Sequence, residues 1–128
     1  MFSAINRLTQ SNALRLVYQD QSLGIAELSA EYLRVFSPSA EVRGHGNAVL
    51  QFGKAEVQLA QVKSVGFYGI QLTFSDGHDS GIYTWEYLHS LHKNQSDNWQ
   101  DYLKNLHSAH KSRFANHQVV QIQSPPIS

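Results

Sequence analysis

The clearest alternation of apolar and polar positions runs through Tyr68, Ile70, Leu72 and Phe74, with Gly69, Gln71 and Thr73 between them. A period of two predicts a strand with one face in the core. Asp76-Gly77 follows, a dipeptide that tolerates the positive φ of a tight turn, so residues 80–83 are predicted to return as the hairpin partner. Thr84 then stands where a helix N-cap belongs. Beyond it Trp85, Leu88 and Leu91 recur three apart, with Glu86 in the first turn and His92 and Lys93 in the last, as the helix dipole favours. The same order occurs earlier. Leu14, Leu16 and Tyr18 alternate with polar neighbours, Asp20-Gln21-Ser22 makes a turn, residues 23–26 return, and Ser29 caps a helix over 30–36 with Glu31 in its first turn. Pro38 is expected to end that helix, because the residue before a proline avoids the α region. Ser29-Ala30-Glu31-Tyr32-Leu33 echoes Thr84-Trp85-Glu86-Tyr87-Leu88. The echo reads as an internal duplication or as two uses of one supersecondary unit, and the shared offset of Glu-Tyr-Leu favours duplication.

Residues 49–52 and 57–62 are predicted strands, with 43–47 a loop. A third helix is expected from Ser96 or Asp97, presenting Trp99, Leu103, Leu106 and His110 on one face, which Tyr102 and Phe114 could widen. The predicted class is therefore α+β: a single small domain over residues 1–115, built of two hairpin-plus-helix units with a C-terminal helix, followed by a polar, flexible tail over 116–128.

Composition narrows the functional classes. The 128 residues fit one domain large enough for its own core. Ten lysines and arginines balance ten acids without clustering, which argues against nucleic acid and a membrane surface as partners. Cysteine is absent, so disulfides, thiolate zinc ligands and cluster ligation are excluded. No apolar run is long enough to span a bilayer, and the first ten residues lack the apolar stretch of a secretory signal, so a cytoplasmic protein is expected.

Two segments concentrate the chemistry, 32–45 and 75–83. They are expected to meet and form a binding site from Ser37, Ser39, Glu41, Arg43, His45, Asp76, His78 and Asp79. Arg43, beside glycine, could grip a carboxylate or phosphate with its planar fork, while Arg34 is read as bracing the turn after the first helix. His45, His78 and Asp79 are the candidate metal ligands, set against the plainer reading that His78 and Asp79 only hydrogen-bond the turn. Ser75 or Ser80 with His78 and an aspartate has the composition of a nucleophilic triad but lacks a nucleophile elbow. His89/His92 and His107/His110 are spaced as helical metal pairs, yet each pair would need further ligands. Gly44-His45-Gly46 is too short for a phosphate cradle. No catalytic residue and no cofactor are predicted.

The segments Glu31-Tyr32-Leu33-Arg34, 37–45 and 73–83 resemble a family of small bacterial proteins related to the N-terminal domain of gamma-butyrobetaine hydroxylase, over about residues 14–106. The resemblance implies an α+β domain distinct from the oxygenase catalytic unit. Related domains also occur fused to Mrp-type iron–sulfur carrier ATPases. That context implies a non-enzymatic accessory module whose protein partner is an iron–sulfur carrier ATPase or another metalloprotein; the alternative is a small metal-binding protein or metal-dependent enzyme. In the hydroxylase, three cysteines and a histidine bind zinc. Ser37, Ser39 and Val42 occupy the cysteine positions here and His78 the histidine position, so the fold is expected to need no structural zinc. Hydroxyl–backbone bonds from Ser37 and Ser39, the stiffness of Pro38 and inward packing of Val42 would replace it.

Overall fold

The structure is a computed structural model that describes residues 1–41 and 49–115, with the backbone alone at 40 and 41. Two three-stranded antiparallel sheets carry the chain. The first contains β1 (Phe2–Leu8), β2 (Ala13–Tyr18) and β3 (Ile25–Ser29), and the second β4 (Leu59–Val65), β5 (Gly69–Phe74) and β6 (Ile82–Thr84), each in sequence order. Helix α1 (Ala30–Val35) follows the first sheet, with a short α2 (Pro38–Glu41), and α3 (Trp85–Lys93) follows the second. The last helix, α4 (Gln95–Ala109), closes the domain. This is the expected α+β arrangement of two hairpin-plus-helix units with a C-terminal helix.

The units agree in detail. The central strands share one alternation: Leu14, Leu16 and Tyr18 are buried in β2, and Ile70, Leu72 and Phe74 in β5. Each outer pair is interrupted at the same place, where Phe2↔Tyr18 is followed by Ala4↔Val17 and Leu59↔Phe74 by Gln61↔Thr73. Ser29 and Thr84 each accept the amide three residues on at 3.1 Å, the capping bonds expected from sequence. The first amide of each helix is held by the residue before its central strand, Ala30 by the Asn12 carbonyl and Trp85 by that of Tyr68.

A reciprocal pair of hydrogen bonds joins the two helices. Tyr32 Oη donates to the Leu91 carbonyl at 2.6 Å, and Tyr87 Oη to the Phe36 carbonyl at 2.5 Å. Tyr32 and Tyr87 lie three residues past their caps, and Phe36 and Leu91 seven. The two bonds are therefore one contact made twice across a pseudo-twofold axis. One apolar core runs through both units, including Leu14, Leu16, Leu28, Leu33, Leu72, Phe74, Tyr83 and Leu88.

Several expectations are corrected. The first return strand is displaced to Ile25–Ser29, because the turn extends through Gly24 at φ +70; Ala26 and Leu28 point inward, while Leu23 and Ile25 are exposed. Tyr68 precedes β5 and is exposed, so the buried face begins at Ile70. Residues 49–52 form no strand, and Gly53 at φ +70 turns the chain directly after them. The edge strand β1 has no counterpart in the sequence reading, since only Phe2 and Ile5 of its outer half pack on the core. Helix α1 stops at Val35, before Pro38 is reached, and Pro38 instead opens α2, where its missing N–H costs nothing. On α4 the inward face is Trp99, Tyr102 and Leu106, packed against Val35 and Phe36, and Leu103 is exposed.

Candidate functional site

The turn between β5 and β6 is built by Asp76. Its Oδ1 accepts the His78 amide at 3.2 Å, and Gly77 at φ +88 completes the reversal. This turn lies against the end of α1 and the start of α2, so the segments around 34–39 and 76–80 do meet. Arg34, buried on α1, donates from Nε to Asp76 Oδ2 at 2.9 Å and from Nη1 to Gln51 Oε1 at 3.0 Å. Lys54 Nζ reaches the same Oδ2 at 2.7 Å. Burial works against ionising Asp76, but the bonds from Lys54 and Arg34 outweigh it and hold the carboxyl at about 2. Arg34 thus braces the β5–β6 turn, where the turn after the first helix was expected.

Beside this ion triad is a hydroxyl–imidazole cluster. His78 Nε2 stands 2.7 Å from Ser37 Oγ and 3.1 Å from Ser39 Oγ. Ser37 and Ser39 are 3.3 Å apart, and Ser39 Oγ lies 2.8 Å from Ser80 Oγ. Burial and the nearby Arg34 charge lower the His78 pKa, so the ring is neutral near pH 7. A neutral ring offers one lone pair or one N–H at Nε2, and the serines relay the remaining bonds among themselves. Ser37 is fully buried. A Cβ on Gly81 would collide with its Oγ, so glycine is required opposite Ser37.

The serines therefore bond the imidazole and one another, where hydroxyl–backbone bonds were expected. Arg43, His45 and Val42 lie outside the described residues, as does the Glu41 side chain. Asp79 is exposed and takes part through its carbonyl, which accepts from Gln71 Nε2 at 2.6 Å. Ser75 faces away, its Oγ accepting the Gln58 amide at 2.8 Å, so it forms no triad with His78. His89 Nδ1 is 2.9 Å from Tyr18 Oη, while His107 and His110 are exposed at the end of α4. Lys54 and Gln51 were missed by the sequence reading. Gln51 stands in the stretch expected to be a strand and Lys54 just beyond it, and no local signal ties either to residue 76.

The donor set does not suit zinc. Two neutral hydroxyls are weak ligands, and the imidazole Nε2 that faces them is already bonded to both. Asp76 offers no free oxygen, since Oδ2 holds two cations and Oδ1 an amide. Among the described residues no three of His, Cys, Asp and Glu gather as a metal site. No helix among them is long and apolar enough to cross a membrane.

The chain is similar to three solved structures. One, determined by solution NMR, is 47% identical and superposes with a TM-score of 0.80, covering 97% of this chain and 98% of the other. A second NMR structure is 38% identical with a TM-score of 0.76, covering 96% and 92%. A crystal structure of a protein of unknown function in the DUF971 family, from Acidithiobacillus ferrooxidans, is 38% identical with a TM-score of 0.57, covering 69% of this chain and 88% of the other. No curated protein matches the sequence. The family model described as gamma-butyrobetaine hydroxylase-like, N-terminal, matches residues 5–89, the span of both units up to α3, and the chain belongs to that family.

Proposed function

We propose that the protein is a non-enzymatic interaction module that assists a metalloprotein, with an iron–sulfur carrier ATPase as the favoured partner class. The observation that carries the non-enzymatic half is the burial of Ser37 within the hydroxyl–imidazole cluster. Ser37 is bonded to His78 at 2.7 Å but is sealed from solvent, so no substrate can reach it. The carboxylate of Asp76 is spent on Arg34 and Lys54 and orients no base. The cluster joins the end of α1 and the start of α2 to the β5–β6 turn, bracing the two units against each other and leaving recognition to the surrounding surface. Support for the partner class comes from the family resemblance and its fused contexts, an argument by analogy.

Affinity capture with the full chain as bait, read by mass spectrometry, is expected to enrich a metalloprotein above a bait-free control. The reading fails if none is enriched and the purified protein shows a hydrolytic activity that His78→Ala abolishes.

A further inference from the structure

A trough of about 600 Å³ lies between the segment after α4 and the 52–54 loop. Its walls include Phe52, Lys54, His110, Lys111, Ser112 and Phe114, and no carboxylate of the described residues lines it. Phe52 and Phe114 are each 48% exposed, and the Lys111 ammonium sits 4.6 Å above the Phe52 ring. Lys111 has no carboxylate within ion-pair distance among the described residues. Around the trough, Arg34 and Lys54 share the single carboxylate of Asp76, and Arg113 is matched by Glu31. Among the described residues the face thus carries more cation than it neutralises, although the formal charge of the whole chain is zero. Glu56 is exposed close by in sequence but does not line the trough.

The floor is pinned. The Gly53 amide donates to the Ser112 carbonyl at 2.9 Å and the Ala55 amide to that of Arg113 at 2.8 Å. A Cβ on Gly53 would lie 3.2 Å from Ala115 Cα, so the two strands of chain meet closely. Two half-exposed rings flanking unbalanced cations on a fixed floor match one kind of occupant: an extended segment bearing both carboxylates and large apolar side chains. Neither 42–48 nor 116–128 contains an aspartate or glutamate, so neither segment has the acidic composition of such an occupant.

We propose that this trough docks an acidic, apolar-bearing segment of a partner protein. The proposal deepens the interaction reading and rests on it. The rings would supply the buried contact and Lys111 and Lys54 the charge selection.

The test titrates the isotope-labelled full chain with an end-blocked eight-residue peptide alternating glutamate with leucine and phenylalanine. Amide shifts are expected to concentrate at Gly53, Lys54, Lys111, Ser112 and Phe114. A peptide with glutamine for glutamate should bind about tenfold more weakly, as should the Lys111→Glu chain toward the acidic peptide. Phe52→Ser, also at an exposed position, gives the same reading should the lysine variant fold poorly. Shifts scattered over the domain, equal binding by the Lys111→Glu chain, or the same shifts from a DNA dodecamer or from rising protein concentration alone would overturn the proposal. If Lys111→Glu bait captures the same partner as the unaltered chain, the trough is wrong while the module reading stands.

Discussion

In the first unit Asp20 Oδ1 accepts the Ser22 amide at 3.0 Å; in the second, Asp76 Oδ1 accepts the His78 amide at 3.2 Å. Both turns join a central strand to its return strand, and both owe their shape to the same aspartate chemistry. Their surroundings differ. The Asp20 turn stands in solvent, and its carboxyl pKa is lowered by hydrogen bonds from its own neighbour, Ser22. The Asp76 turn packs on α1 and α2, where its second oxygen binds Arg34 and Lys54. Ala26 precedes the capping serine by three residues, and Gly81 stands at that offset from Thr84, because only there does Ser37 approach the backbone. A repeated supersecondary unit thus differs at one turn, and the difference lies in what packs against the turn.

The comparison can be broken first in the core. Leu16 and Leu72 occupy equivalent, fully buried positions on β2 and β5. Alanine at either should cost about 2–5 kcal/mol in chemical denaturation. A large cost at one and none at the other would mean that the units do not share a core equally. Next are the turns. Asp76→Asn removes the charge that Arg34 and Lys54 share and should cost about 1–3 kcal/mol, reduced from the fully buried case because the carboxylate side chain is 22% exposed. Asp20→Asn should leave the denaturation midpoint unchanged. Equal effects would end the distinction between the turns.

Acid titration sharpens the same point. The Asp76 pKa is depressed to about 2 from 3.8, so its stabilisation is complete above 3.8 and is lost as pH falls toward 2. The His78 pKa is also lowered from 6.5, so the unfolded chain takes up its proton first, and stability begins to fall as pH drops through 6.5. His78→Gln should remove the upper limb of the stability–pH curve and Asp76→Asn the lower. Tyr32→Phe and Tyr87→Phe each delete one of the reciprocal bonds and should cost about 1 kcal/mol or more, with Tyr32→Phe the costlier because its hydroxyl also accepts from Asn98 Nδ2 at 3.0 Å. The smallest effect expected is none: a strong chelator should leave the melting temperature unchanged, and a marked drop would mean that other residues have rebuilt a metal site.

Much of this fold could be read from short-range pattern. The strand at 70–74, both capped helices and the Asp-Gly turn depend on neighbours a few residues apart, and Ser29 and Thr84 declared themselves by position. The exposed edge β1 gave no period to read, and the apolar positions over 49–52 read as a strand where the chain is irregular. The site was legible in composition and only partly in geometry. Ser37, Ser39 and His78 come together, but the pairing of Arg34, Lys54 and Gln51 around Asp76 depends on tertiary approach across 17 to 42 residues of chain.

The crossed tyrosines also set a timetable for synthesis. When α1 has left the ribosome, the Tyr32 hydroxyl and the Phe36 carbonyl lack their partners, which lie 59 and 51 residues further along the chain. At typical elongation rates that is a wait of about 3–12 s, far longer than a helix needs to form. The first unit therefore spends this interval with its seam open, and the protein locks as one body only once α3 has emerged.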